Sequence, residues 1–259
     1  IFAFHSYQSL DTSMYVYNVA SLIPLEFQVN RLSTFFLIIV SLAAFINAIY
    51  SLGYLISFKN KSIDLFLYVI FIACMFLVFL SNNIFAFIIF CELMSVTSYF
   101  LVTIEGDYES SRAGLLYIVM THIGTSFIIG SFFLFYKYTG DITFSNWFVN
   151  LSLIPENIKL IIFLSAFIGF GFKAGIVPFH SWLPFAHPQA PSNVSALMSG
   201  VMIKLGIFGI LKFAFPLFDK PPLFLGALVL FLGSLSALLG ILYAFVEKDV
   251  KKLLAYSSI

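Results

Sequence analysis

Seven segments of this chain are each about 20 residues long and almost entirely apolar, near 33–57, 63–80, 83–104, 113–136, 160–178, 194–216 and 222–246. About 20 such residues are what an α-helix needs to cross the hydrocarbon core of a bilayer. The repetition leaves few folds open. Hydrocarbon offers no water to backbone groups, so only helices or a closed barrel can span it, and runs of this length suit helices. Charge supports the same reading. Only 10% of residues are charged, where soluble domains carry about 25%, too few to clothe a water-facing surface. The expected fold is an all-α polytopic membrane protein, a transmembrane helix bundle. The 34 Phe residues fit outward faces that meet lipid. A net charge of +1 excludes the clustered Lys and Arg of a nucleic-acid surface. Cys74 and Cys91 lie inside apolar runs without a partner at disulfide or metal-ligand spacing, and read as plain core residues.

The connections are uneven. Residues 1–32 contain alternating stretches such as Tyr15–Val19 and read as a loop or hairpin before the first clear span. Residues 137–158 carry Gly140, Asp141, Asn146, Asn150 and Pro155, a turn-rich surface connection. Residues 179–193 hold His180, Trp182, Pro184, His187, Pro188 and Pro191 between deeply apolar flanks. Together with Pro178 and the glycines at 169, 171 and 175, this predicts an interrupted fifth span. A broken helix at membrane depth survives only where protein or a watery cavity satisfies the freed backbone groups. Asp249 is placed to cap an eighth helix. The chain starts at Ile1 without an initiator Met and stops at Ile259 inside a helical pattern, which reads as a piece of a longer protein. Orientation is poorly determined by charge. Arg31, Lys137, Lys159, Lys212 and Lys220 on one side nearly balance Lys59, Lys61, Arg112, Lys248, Lys251 and Lys252 on the other, which is only faintly favoured as cytoplasmic.

Three charges are out of place. The 13 Lys and Arg and 12 Asp and Glu fall in loops or at span ends, where Lys212 can snorkel to the interface, except for Glu92, Lys173 and Lys204. An ionised side chain at a helix centre costs about 2.5–3.5 kcal/mol. Three unpaired ones would cost about 8–10 kcal/mol, comparable with the net stability of a domain. A single buried ion pair that only fixes packing would leave one lysine unexplained, whereas two lysines sharing a carboxylate suit a proton relay. At about 4 Å, Glu92 could shift a lysine by roughly three pKa units at an effective dielectric near 20, enough to switch it between holding and releasing a proton. Spacing supports interior faces. Glu92, Ser95 and Tyr99 form one stripe, while Ala196, Gly200 and Lys204 form a small-residue face suited to close helix approach. His122, Thr125 and Ser126 make a polar cluster on the fourth span. His122 and His180 are further relay candidates, His187 a weaker one, and each could equally be a hydrogen-bonded packing residue. The histidines are too dispersed for a metal site, and no phosphate loop, nucleophile elbow or iron–sulfur cysteine pattern is present.

The run KAGIVPFHSWLPFAHPQAPSNVSALMSGVMIKLG from Lys173, with CELMSVTSYFLV around Glu92, RAGLLYIVMTHIGT around His122 and EKDVKKLLAYSSI at the end, resembles the antiporter-like subunits. These are shared by respiratory complex I, multisubunit Na⁺/H⁺ antiporters and membrane-bound [NiFe]-hydrogenases. The form AHPQAPSNVSALMSGVMIK is most similar to the large membrane subunit of hydrogenase-4 and formate hydrogenlyase. The resemblance covers nearly all of the chain beyond residue 28. It implies about fourteen helices with two inverted five-helix repeats, each containing a broken helix. On that mapping 1–32 is a loop or hairpin, 33–62 a peripheral span, 63–216 the first repeat, broken near 160–192 around Gly175 and Pro178, and 217–259 the start of the second. It further implies that Glu92 modulates Lys173, and that protons pass from Lys173 to Lys204 and on to a residue beyond Ile259.

The function expected is proton translocation by a subunit of a redox-driven, complex I-like membrane hydrogenase or oxidoreductase. Its setting is a prokaryotic inner (plasma) membrane. Such a subunit carries no catalytic centre and no cofactor of its own. Its partners are other membrane subunits, a peripheral hydrogenase or iron–sulfur arm, lipid and protons. The alternatives are a subunit of a Na⁺/H⁺ antiporter and a proton-pumping subunit of complex I. A retinal photoreceptor with Glu92 as counter-ion is disfavoured by the second buried lysine and the broken span. A purely structural anchor would leave the buried charges without a purpose.

Overall fold

The computed structural model describes residues 14–19, 23–54 and 61–259. Expectations for 1–13, 20–22 and 55–60 lie outside these residues. Strands β1 (Met14–Val19) and β2 (Ile23–Gln28) pair antiparallel, with Met14 opposite Gln28 and Val19 opposite Ile23. The described elements after them are helices: α1 (Arg31–Tyr54), α2 (Lys61–Leu80), α3 (Ile84–Val102), α4 (Tyr108–Thr139), the short α5 (Phe144–Val149), α6 (Glu156–Ala174), the short α7 (Leu183–Gln189), α8 (Ser192–Leu217), α9 (Leu223–Val246) and α10 (Val250–Ser257). Seven of these are long and apolar enough to cross a membrane. The protein is an integral membrane protein.

Local chemistry sets the helix ends. Asn83 and Asp107 accept from the Ala86 and Ser110 amides at 2.8 Å, capping α3 and α4. Asp249 caps α10 through the Lys251 and Lys252 amides, as its position in the sequence suggested. Gly140 and Gly175 end α4 and α6 at φ +72° and +70°, a conformation that costs a Cβ-bearing residue strain. Helix α4 runs 32 residues, or about 48 Å at 1.5 Å per residue, so it outreaches a ~30 Å hydrocarbon layer.

The interior differs from the sequence expectation in two ways. Many phenylalanines face inward. Phe87 lies 5.5 Å from Phe132 and Phe213 and 5.9 Å from Phe170, ring centre to ring centre, and Phe135 stacks on Trp147 at 4.4 Å. Lipid tails are as apolar as Leu, so burial from water cannot hold membrane helices together and packing must. Aromatic pairs contribute about 0.5–1.5 kcal/mol each beyond area. The second difference concerns glycine. Gly169 does not break the fifth span. It stays helical, and a Cβ there would meet the Gly124 carbonyl oxygen and Ile128 Cγ1 at 2.7 Å. Gly124 answers from α4, where a Cβ would meet Phe172 Cβ at 2.6 Å. The two glycines let α4 and α6 touch backbone to backbone. On α8 the close approach falls at Gly206 and Gly209, against Phe170 and Ala174, while Gly200 has open space around it.

The helix break lies after α6, not within it. Its backbone groups are satisfied by protein, as membrane depth demands. The Ile176 amide donates to the Gly171 carbonyl (3.0 Å) and the Leu183 amide to that of His180 (3.0 Å). The Val177 amide donates to Ser236 Oγ of α9 (2.9 Å), and the Trp182 indole to the Phe172 carbonyl (2.9 Å). The Val177–Pro178 peptide is cis.

Candidate ion-translocation site

Lys173 occupies the last turn of α6, where a cation complements the helix dipole. It is 4% exposed and makes no ion pair among the described residues. Its Nζ donates to Ser95 Oγ of α3 at 3.4 Å, and Ser95 in turn donates to the Cys91 carbonyl at 3.0 Å. Met94, Ser95, Tyr117, Thr121, Trp182 and Met202 close a small cavity against the lysine. About 10 Å³ is open there to the centre of a water-sized sphere, close to the minimum for one water. The cavity is polar on its Ser95, Tyr117 and Thr121 sides, with the Tyr117 hydroxyl 2.5 Å from Ser98 Oγ.

Glu92 is paired differently from the expectation. Its Oε2 lies 3.1 Å from Nε2 of His122 on α4, rather than on Lys173. His122 Nδ1 is bonded to the Ile118 carbonyl at 2.8 Å, which orients the ring. That carbonyl can only accept, so the bond puts a proton on Nδ1. The pair sits at the lateral edge of the bundle, with side chains 50% and 27% exposed for His122 and Glu92. The other carboxylate oxygen, Oε1, is buried and has no hydrogen-bond partner among the described residues. The Cys91 thiol, one turn before Ser95, is bonded to Lys173 and is acted on by the charges of both Lys173 and Glu92. The reason for the difference is register. Ser95, one turn on from Glu92, is the α3 residue that meets Lys173, and Glu92 is turned toward α4.

Lys204 sits on α8 just past a π turn at Met198–Met202. Such turns widen the helix and often mark functional positions. Its side chain runs back toward the N-terminus of the helix, and Nζ donates to the Ser199 carbonyl at 2.5 Å. Helix α8 packs on α6 where Gly206 meets Ala174, so Lys173 and Lys204 stand at neighbouring levels of touching helices. His180 lies in the break, half-buried, with Nδ1 buried and without a hydrogen-bond partner among the described residues. Burial pushes its pKa down. It makes no hydrogen bond to Glu92, Lys173, Lys204 or His122.

The sequence reading misplaced one residue. Lys212 does not snorkel. Its Nζ donates to the Ser81 carbonyl at the α2–α3 corner (2.9 Å) and lies 5.2, 5.3 and 5.5 Å from the ring centres of Phe144, Phe208 and Phe213. Aromatic faces attract a cation, by up to about 2 kcal/mol when it is desolvated. The corner is itself tied down, with the Asn82 amide on the Glu26 carbonyl and Thr143 Oγ1 on Glu26 Oε2. Phe208, two turns above Phe215 on an apolar helix, gave no hint that its ring faces an ammonium. Because a well-packed apolar side chain can replace a buried charge at little cost, Lys212→Met is expected to unfold within about 1 kcal/mol of the parent. Lys212→Ala leaves a void and should cost about 2–4 kcal/mol; thermal unfolding of the purified protein distinguishes them. His187, the weaker relay candidate, is 1% exposed, with Nδ1 2.6 Å from Ser195 Oγ.

The description "NADH:quinone oxidoreductase/Mrp antiporter, TM" belongs to a family whose profile matches residues 81–259, more than half of the chain. The chain belongs to this family. Among curated relatives, hydrogenase-4 component B of Escherichia coli (strain K12) is 45% identical over 245 residues, covering 91% of this chain and 36% of the relative. NADH-quinone oxidoreductase subunit M of Rickettsia bellii is 31% identical over 241 residues, covering 92% and 48%. The chain thus spans between about a third and a half of the curated relatives it matches. The fold agrees with that of a chain in respiratory complex I from Thermus thermophilus, with a TM-score of 0.85 at 22% identity over 99% of this chain and 55% of that one. The helices described carry Glu92, Lys173 and Lys204.

Proposed function

We propose that this chain carries the first part of a proton path in a redox-driven, hydrogenase-type membrane complex of a prokaryotic inner membrane. Lys173 is the central carrier, and the observation that supports this most is its setting: a cation at membrane depth bonded to neutral groups, Ser95 and Cys91, beside a water-sized cavity. A lysine locked in an ion pair would hold its proton, whereas this one can give it up to a water or a neighbouring group. Glu92 is the tuning charge. One of its oxygens binds His122 at the edge of the bundle and the other is left buried. A shift of the carboxylate from His122 inward would favour the charged form of Lys173. Lys204 is the acceptor on the adjacent helix. The path continues into sequence beyond this chain, and electron transfer belongs to partner subunits that include an iron–sulfur arm.

The test is proton uptake by membrane vesicles carrying the full-length protein in its assembled complex, driven by the electron donor of that complex. Lys204→Met is expected to lower pumping about tenfold or more while the subunits remain assembled. Normal pumping by an assembled Lys204→Met complex would sink the reading. Uptake of Na⁺ in exchange for protons without any electron donor would favour the antiporter alternative instead.

A further inference from the structure

Helices α9 and α10 reach back onto the break from outside the group of helices that carries Lys173 and Lys204. Ser236 of α9 takes the Val177 amide at the start of the break. At its far end, Lys251 of α10 donates to the carbonyls of Pro188 (3.2 Å) and Ala190 (2.9 Å). A continuing helix would satisfy these carbonyls itself; here Pro191 prevents that, and one ammonium does it for both. A backbone approach supports the contact, since a Cβ on Gly240 of α9 would stand 2.8 Å from the Tyr256 carbonyl oxygen of α10.

The residue before Pro188 is His187. Its Nδ1 is 2.6 Å from Ser195 Oγ, and its Nε2 is buried without a partner among the described residues. From Ser195 the contacts step along α8: Ser199 Oγ donates to the Ser195 carbonyl (3.2 Å), and the Ser199 carbonyl receives Lys204 Nζ. The charged groups that act on His187 are Lys251 from α10 and Lys204 from α8. On the α4 side, Glu109 and Arg112 line a cleft with Pro188, Gln189 and Lys252.

We infer that Lys251 is a positioning residue for the Lys204 site: it clasps the end of α7 and keeps a neutral His187 seated on Ser195, beneath the Ser199 carbonyl that holds Lys204. The inference rests on Lys204 being part of the proton path. Burial first, then Lys251, then Lys204 push the His187 pKa down to about 4. The imidazole is therefore neutral at physiological pH. Without the cation at 251, His187 takes a proton at a higher pH. Burial, the larger cause, remains, so the added charge appears beside Lys204 only toward acid pH, where it opposes loading of that site.

The experiment uses the assembled full-length complex in vesicles, with pumping measured from about pH 5 to about pH 8, the range over which histidines titrate. Lys251→Met is expected to slow pumping about fivefold near neutrality and to add a further fall toward the acid end. Lys251→Arg, which can still serve both carbonyls, restores the parent rate to within about twofold. Adding His187→Gln to Lys251→Met removes the acid fall, because nothing is left there to titrate. An assembled Lys251→Met complex with the parent rate and profile overturns the inference, as does an acid fall that persists in the double variant. Should Lys251→Met not assemble, Lys251→Gln, which keeps one donor, takes its place with the same two outcomes. If Lys204→Met stops pumping while Lys251→Met does not alter it, only this inference fails. If Lys204→Met pumps normally, the underlying function fails with it.

Discussion

Lys173→Met in the full-length protein is expected to reduce redox-driven proton uptake at least about a hundredfold, to background, while the complex still assembles. Met matches the length of the lysine stem and fills the same slot beside Met94, Ser95 and Trp182. The substitution removes a long hydrogen bond to Ser95 and one to the Cys91 thiol, each worth about 0.5–1.5 kcal/mol net or less. Desolvating the ammonium had cost more than that, so stability should hold or rise. Transport should not, because a relay interrupted at one member loses the whole of that step, and positioned proton transfer contributes about 10²–10⁴-fold. Glu92→Gln belongs beside it as a milder lesion. It keeps the shape next to His122 but removes the charge that tunes the lysine, so uptake should fall less than in Lys173→Met. Uptake and assembly are read on the same vesicles. A Lys173→Met complex that assembles and pumps at the parent rate would return the lysine to a packing role.

Gly169→Val is expected to have the largest effect on the fold. The first added carbon already meets the Gly124 carbonyl oxygen, Ile128 Cγ1 and the Ile128 amide nitrogen at 2.7, 2.7 and 2.9 Å. Two of those are backbone atoms of α4 and cannot rotate away. Relief requires α4 and α6 to separate along their shared face, opening voids around Phe172 and Ile128. Overpacking of a core costs about 1–3 kcal/mol when side chains can adjust, and here they cannot, so about 3 kcal/mol or more is expected. The variant should accumulate poorly and melt well below the parent. Gly130→Ala is the control, on the same helix as Gly124 with nothing within 4 Å of the added carbon. Equal melting temperatures for the two variants would show that the glycine pair does not set the helix spacing.

These residues also show what was legible beforehand. Lys173, Glu92 and Lys204 stood out because a charge inside an apolar run needs no neighbour to be noticed. Their partners were not legible. Glu92 falls on the same helix stripe as Ser95, and one turn of register decides which of the two meets Lys173 and which meets His122. Periodicity cannot resolve that, since the two lie one turn apart on a single stripe of α3. Lys212 looked like a residue able to reach the interface, and its length would allow it. The Ser81 carbonyl and three aromatic faces drew the ammonium inward instead, through groups that lie up to 131 residues away in sequence. Gly169 was misread because a glycine that breaks a helix and one that lets two helices touch have the same letter. Of the glycines at 169, 171 and 175, only Gly175, with φ +70°, is of the first kind.

What the sequence determined by itself was the solvent, the number of crossings and the identity of the stranded charges. Each follows from quantities local to a segment: its length, its apolar content, and the cost of one ionised group in hydrocarbon. The tertiary structure alone decided which charges pair and which stand free, where the helix actually breaks, and which distant groups satisfy it. Those outcomes depend on helix rotation and on contacts such as Ser236 with Val177 and Lys251 with Pro188 and Ala190. In a bilayer every such polar group must find a partner within the protein, but the chain's own order does not say which one.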